Sequence, residues 1–404
     1  MAIVFDSDAG TITGLSVGGL PDGTVDAGTL ATDSVTAAKI AANSVDSAEL
    51  IDGAIDDSHM ASISGRRNII INGNMRVAQR GTSFTDPASG EFTVDRWKAG
   101  VHTSTAAANY TQETDVPTAA QAGTNFLNSL KHTCTTTDTS TAATIRYYTK
   151  YQLEGYDIAP AGFGQAGVRY MTLSFWHKHT KTGINSFGIV SGDNGRHYVA
   201  EYTQTTSDTW EKATHTFPVD TTGTWATDNS KALNLYFATH IGSNYHGTAN
   251  TWGTGQAYGT ANQVNNYDST SNSMRFTGVQ LELGSTATDF EHRSYGEELA
   301  LCQRYFQILQ DNAGYFAGNA VGSNRIDTGI PLAVPLRATP SFKANGYLTH
   351  RSGNANSSAN QATVGSYNAN STILKIRFGG HSVTDEVAYV ISITSEDLLI
   401  DSEL

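Results

Sequence analysis

Residues 168–178 read VRYMTLSFWHK, a short run of alternating character that predicts a β-strand. The pattern recurs at 210–219 (WEKATHTFPV), 232–238 (ALNLYFA) and 273–283 (SMRFTGVQLEL), each run bounded by clusters of Gly, Asn, Asp, Thr and Ser that supply turns. All five Trp and all eighteen Tyr lie beyond Arg66, so this is where a large core can form. Many short strands with turn-rich connections imply a mainly β fold, an antiparallel sandwich or jelly roll. A chain of 404 residues has room for two such globular units and an extended segment besides.

The extended segment is the first 62 residues. Apolar side chains fall there at five-residue intervals: Leu20, Val25, Leu30, Val35, Ile40, Val45, Leu50, Ile55 and Met60, with Leu15 extending the series backwards. Within it runs a ten-residue repeat, DGTVDAGTLA, TDSVTAAKIA, ANSVDSAELI, DGAIDDSHMA. No α-helix keeps one face apolar at this period, because successive positions advance by about 140° around its axis. A repeat this short has no core of its own, so its apolar residues need partners in neighbouring repeats or other chains. A thin multichain shaft over 15–62 satisfies that requirement. Ten carboxylates and a single Lys give the segment about −9 of the chain's −13. Disorder is the alternative such a composition allows, and the strict spacing argues against it.

Several classes are excluded. No apolar run approaches the ~18 residues of a transmembrane helix, so no membrane insertion is expected. The N-terminus MAIVFDSDAG has neither a basic n-region nor a usable h-region, so it does not read as a secretory signal. Cys134 and Cys302 are far apart and form no disulfide framework or metal-ligand spacing. The acidic balance and the scattered Lys and Arg argue against a nucleic-acid surface. Residues 294–310 (SYGEELALCQRYFQILQ) carry Leu299, Cys302, Phe306 and Leu309 at helical spacing, which predicts a helical connector between two β regions.

Sugars combine apolar C–H faces with dense hydroxyls, so their sites join aromatic platforms to polar side chains. Residues 240–273 hold Tyr245, Trp252, Tyr258 and Tyr267 in a polar, glycine-rich setting unsuited to a core strand. In a loop these rings either fold back onto the sandwich or face outward as ligand platforms. Trp176 and Trp210 sit in strand patterns and read as core; Trp97, after VDR at an edge or corner, also reads as structural.

Other motif matches lack their context. Gly14-Leu-Ser16-Val-Gly18 resembles a nucleophile elbow without a sheet around it, and Gly162-Phe-Gly164-Gln-Ala-Gly167 resembles a dinucleotide fingerprint followed by a strand pattern, not a helix. His177 and His179 share one strand face, with no third metal ligand evident. Asp6-Ser-Asp8-Ala-Gly10 opens like a calcium loop but lacks Glu at its twelfth position. Glycoside cleavage requires two carboxylates across a sugar cleft. Glu154, Asp157, Asp193 and Glu201 are candidates that the sequence does not bring together, and a non-enzymatic chain is expected.

The runs RNIIINGNMRVAQRG (67–81), FTVDRW (92–97), TLSFWHK (172–178), DTWEK (208–212) and GVQLELGSTATDFEHRSYGEELALCQRYFQ (278–307), with PLRATPSF (335–342) and the terminal DSEL, resemble a common type of bacteriophage tail fibre. The resemblance implies an elongated homotrimeric fibre located in the virion tail. Residues 1–14 would attach to a virion tail or baseplate protein, and 15–62 would form the shaft. A jelly roll like those of carbohydrate-binding modules would span 63–293, the connector 294–310, and a C-terminal β receptor-binding domain 311–404. The implied function is attachment to a host-surface receptor, a glycan, by multivalent non-catalytic binding; a tail-spike-like glycan-degrading enzyme and a purely structural fibre are the alternatives. With the N-terminus anchored, the tip is distal. Residues 345–372 read there as exposed loops in which Tyr347, His350, Arg351 and Tyr367 present flat faces and a cation. Analogy with carbohydrate-binding modules adds a structural calcium in the jelly roll, with no ligands assigned; no other cofactor is expected.

Overall fold

The computed structural model describes residues 66–102, 106–309 and 398–404, together with 4–6, 8 and 11–13 near the start and the segments 315–322, 325–344, 347–352, 355–359, 362–366, 372–379 and 388–394. The expected shaft over 15–62 and Tyr367 lie outside the described residues. The chain divides into two compact units, Met1–Met60 and Ala61–Leu404. In the first, β1 (Val4–Asp6) and β2 (Thr11–Thr13) pair antiparallel, Phe5 opposite Ile12.

The second unit is mainly β. Its sandwich strands are β3 (Ser83–Phe84), β4 (Trp97–Val101), β5 (Ala107–Glu113), β6 (Ser129–Thr136), β7 (Arg146–Glu154), β8 (Tyr170–His179), β9 (Gly183–Ser191), β10 (Arg196–Gln204), β11 (Glu211–Pro218), β12 (Lys231–Ile241), β13 (Thr251–Thr254) and β14 (Ser273–Leu283). Two single-turn helices, α1 (Ala119–Ala122) and α2 (Gly155–Ile158), interrupt them. Among the described residues they form two antiparallel six-stranded sheets, ordered β13-β10-β9-β12-β7-β4 and β11-β8-β14-β6-β5-β3.

Period-two alternation builds the core between the sheets. From the first sheet come Trp97, Tyr147, Tyr151, Phe187, Leu235 and Phe237; from the second, Met171, Leu173, Phe175 and Phe276. In β14, Met274 and Phe276 face inward at even positions, but Val279 and Leu281 at odd ones. A register shift between Thr277 and Gln280 changes the parity, and Gly278 at φ +60° makes it. Without this bulge the second half of the strand would present its apolar side chains to solvent. Trp97 is buried on edge strand β4, its indole N–H donating to the Asn72 carbonyl at 3.1 Å. Trp176 and Trp210 are buried with Phe126 in a separate cluster.

The helix in 294–310 is shorter than its spacing predicts. Helix α3 (Tyr295–Gln303) starts at Ser294, whose hydroxyl accepts from Glu297 N–H, and Leu299 and Cys302 pack against Ile71, Val77 and Tyr305. Phe306 and Leu309, read as the next turns of the apolar stripe, belong instead to β15 (Phe306–Leu309). That strand pairs with β24 (Leu398–Asp401), a contact from the far end of the chain that no local period reveals. Between them lie β16 (Tyr315–Ala320), β17 (Arg325–Pro331), β18 (Ser341–Ala344), β19 (Tyr347–Ser352), β20 (Ala355–Ala359), β21 (Ala362–Ser366), β22 (Ile373–Gly379) and β23 (Ala388–Thr394). Among the described residues these strands form a three-stranded sheet β15-β24-β18 and a seven-stranded one, β20-β19-β23-β16-β17-β22-β21.

Ion pairs staple the chain's end to the sandwich. Arg96, wholly buried, pairs with Glu403 and lies 3.4 Å from the Tyr305 ring centre. Arg80 pairs with Glu403 at 3.3 Å and stacks on Phe306. Arg337 donates to the carbonyls of Ser402, Glu403 and Asn229.

Candidate functional site

The aromatic residues of 240–273 mostly fold inward. Tyr267 is 0% exposed, between Tyr147 and His132, and shares a hydrogen bond with His132 at 2.8 Å. The polar residues before it make this burial possible. Asn265 Nδ2 donates to the Asp138 carbonyl and its Oδ1 accepts from Tyr267 N–H, while Asn266 bonds Asn185 and Thr239, so the loop backbone enters the core satisfied. Tyr258, 3% exposed, packs with Tyr148 and Tyr236, and Tyr245 stacks on it at 5.1 Å. Trp252 is half-buried on β13; its indole N–H donates to the Pro218 carbonyl at 2.7 Å and its ring meets Trp225 and Tyr198. Trp252 is thus an anchor of its loop, and Tyr258 and Tyr267 are interior residues, not open platforms. In the C-terminal segment Tyr347, His350 and Arg351 lie on strand β19, so this part of 345–372 is not loop; pairing with β20 and β23 accounts for it.

By covering part of the first sheet's outer face, this loop leaves a cleft beside it. The Tyr258 backbone presses so closely on Gly188 that a Cβ there would lie 2.8 Å away. Toward β7 and β4 the face stays open, in a cleft of 470 Å³ lined by Gly90, Lys98, Ala99, His102, Tyr148, Lys150, Gln152, Lys231, Arg337 and Leu404. Alternation along β7 sends Tyr147 and Tyr151 to the core, and leaves Tyr148, Lys150 and Gln152 in this outer cleft. Lys98 stands directly opposite Lys150 in the β4–β7 register.

The cleft is rich in donors. Lys98 Nζ donates to the Leu404 main-chain oxygen at 2.5 Å. Lys150 Nζ sits 5.2 Å from the Tyr236 ring centre. Burial, then Lys98 and Lys231, push Lys150 down from the usual 10.5 to about 7; burial above all lowers Lys98 to about 8, although Glu403 and Asp401 oppose it. Gln152, 4% exposed, donates to Asn234 Oδ1 at 2.9 Å and leaves its own Oε1 without a partner. Tyr148 is 7% exposed, its ring folded over Gly100 and its hydroxyl 2.6 Å from His102 Nε2, so it forms a wall of the cleft.

The four carboxylates considered for catalysis are engaged elsewhere. Glu154 pairs with Arg304 at 2.7 Å and Asp157 with Arg66 at 2.7 Å. Asp193 accepts from Ser191 and Gly195, and Glu201 from Asn262 at 3.0 Å. None of the four lines the cleft. His177 and His179 are buried core residues; His177 Nδ1 contacts Gln204 Oε1 at 3.0 Å, and burial lowers its pKa to about 4. Among the described residues no three His, Cys, Asp or Glu side chains come together as a metal site.

The cleft lysines were missed in the sequence, where Lys and Arg seemed merely scattered. The available signal was Lys150 between Tyr148 and Gln152 in RYYTKYQLE, a polar face on an otherwise apolar strand.

No protein-family model and no curated protein matches the chain. Among solved structures, the enzymatically active domain of tailspike protein 4 of bacteriophage CBA120 aligns with 54% of this chain at 14% identity and a TM-score of 0.28. The chain spans only 21% of that one. A family 11 carbohydrate-binding module from a Clostridium thermocellum cellulase aligns with 52% of this chain and 98% of its own, at 14% identity and a TM-score of 0.25. A tandem carbohydrate-binding domain from a Paenibacillus barcinonensis protein aligns with 84% of this chain and 99% of its own, at 11% identity and a TM-score of 0.26. Likenesses this loose carry no argument about this chain.

Proposed function

We propose that the protein is a phage tail fibre that attaches the virion to a host-surface glycan without cleaving it. The observation that carries the binding part is the cleft on the sandwich's outer face: 470 Å³, lined by Lys, Gln and His side chains, with a buried unpartnered acceptor at Gln152. Pockets with a few convergent polar groups are the usual places for small ligands or chain segments to bind. The tail-fibre motifs quoted above and the ten-residue repeat ahead of the sandwich support the attachment role. The absence of Asp and Glu among the residues lining the cleft supports binding over hydrolysis. A homotrimer would present three such clefts, and avidity can raise a weak single-site affinity by about 10²–10⁴.

Fluorescently labelled full-length protein is expected to decorate host cells. Purified host polysaccharide should compete, and incubation with that polysaccharide should release no new reducing ends. Decoration that no surface glycan competes away would refute glycan attachment. New reducing ends would establish an enzyme instead. Failure to bind any host cell would leave a purely structural fibre.

A further inference from the structure

Resting on the glycan-binding reading of the cleft, we infer that its ligand is an anionic glycan whose carboxylate or phosphate groups are received by Lys98, Lys150 and Lys231.

Three observations lead there. Lys98 and Lys150 face each other directly across the β4–β7 ladder, a like-charge pairing that destabilises a sheet unless something compensates it. Among the described residues neither Lys150 nor Lys231 forms an ion pair, although carboxylates of the same unit pair cations elsewhere, as at Arg66, Arg96 and Arg304. Lysines on an edge strand commonly guard against aggregation by extending into water. Lys98, on edge strand β4, is instead drawn into the cleft with Lys150 of β7 and Lys231 of β12, both inner strands, and the charges of Lys98 and Lys231 add to burial in lowering the proton affinity of Lys150.

The carboxylates nearest Lys231 are engaged with other partners: Glu154, opposite it in the β7–β12 register, pairs with Arg304, and Asp193, which feels its charge, accepts from Ser191 and Gly195. Lys150 faces Lys98 on β4, and Lys231 and Tyr236 on β12; His102 lies along the same wall. Asp401 and Glu403 act on Lys98, but Glu403 is held by Arg80 and Arg96. Arg337 uses its donors on main-chain oxygens of residues 229, 402 and 403, so it contributes charge without reaching for a ligand. A polyanion would supply the missing countercharge.

The test is calorimetric titration of the full chain with oligogalacturonate, a phosphate-bearing mannan, neutral dextran and a DNA oligonucleotide, at low and physiological salt. At least one acidic glycan is expected to bind about tenfold or more tighter than dextran, with affinity falling as salt rises. Which of the two it is identifies the anionic group. The double variant Lys150→Met/Lys231→Met should lose that preference while keeping the assembly mass of the parent and a melting temperature no lower than the parent's. Equal binding of dextran, or an intact preference in the double variant, overturns the inference. So does DNA binding as tight as the glycan's, which would mark an unselective polyanion surface. Loss of assembly mass in the variant would assign the cleft to an interface between copies and likewise overturn it. Host-cell binding that persists undiminished in the variant removes charge selectivity but leaves glycan attachment standing. Failure of the parent protein to bind host cells removes glycan attachment itself, and with it the inference.

Discussion

If Lys150 is held as an uncompensated cation, replacing it should stabilise the protein, and by an amount that depends on pH. Its pKa falls from 10.5 to about 7 in the folded chain, because of burial first and of Lys98 and Lys231 next. Between about pH 7 and 9 the unfolded chain therefore binds more protons at this site than the folded one, so stability rises with pH across that window. At about 1.4 kcal/mol per pH unit the ceiling on this gain is roughly 2 kcal/mol. Lys150 keeps some solvent contact, and screening brings the expected gain to about 1 kcal/mol. Lys150→Met keeps the methylene packing and removes the charge, so it should be more stable than the parent at pH ~7, with the difference shrinking toward pH ~9. Urea unfolding of both proteins at the two pH values measures it, and other titrating groups cancel in the comparison. A variant less stable than the parent at pH ~7, or a difference that does not change with pH, would refute the electrostatic reading of the cleft.

Tyr258→Ala should destabilise the sandwich by about 3–5 kcal/mol in chemical denaturation, because the ring is buried among Tyr148, Tyr236 and Tyr245. Trp252→Phe, which loses the bond to the Pro218 carbonyl and part of the ring's contact with Trp225 and Tyr198, should cost about 1–3 kcal/mol by the same measurement. Glu403→Gln leaves Arg96 buried without a countercharge and should cost about 3–5 kcal/mol, lowering the melting temperature by several degrees. Burial lowers His132 to about 3 and His177 to about 4, so the unfolded chain takes up protons first and stability should fall as pH drops from 6.5 toward 4. A His132→Gln/His177→Gln double variant should lose stability less steeply over that range when melting temperatures are followed.

The fold was legible where periodicity reports burial. The strand runs at 168–178, 232–238 and 273–283 coincide with β8, β12 and β14, and Trp97 is structural as expected. Legibility failed where a distant partner decides. Phe306 and Leu309 continue a helical stripe in sequence, yet pairing with Leu398–Asp401 makes them a strand. Tyr267 looked like a loop residue because Asn265 and Asn266 precede it, and those same amides satisfy the backbone that lets the ring enter the core. The candidate site failed for the same reason. Lys98, Lys150 and Lys231 are at least fifty residues apart and ordinary one by one; only the β4–β7–β12 order makes them neighbours.

That order also ties the cleft to the end of the chain. One wall holds Leu404, whose main-chain oxygen accepts from Lys98, and Arg337, whose guanidinium fastens residues 402 and 403 beside it. Glu403 turns inward to Arg96 and Arg80, so its carboxylate only partly offsets the charge of Lys98. The aromatic loop closes the opposite side by folding Tyr245 and Tyr258 onto the sheet. Buried aromatics therefore shape the recess, while the charge that could select a ligand comes from strands whose inner faces are fully committed to the core. On the proposed reading, exchanging a lysine would alter which ligand the cleft takes while leaving the core-facing side chains of the same strands in place, since alternation puts the two sets on opposite faces.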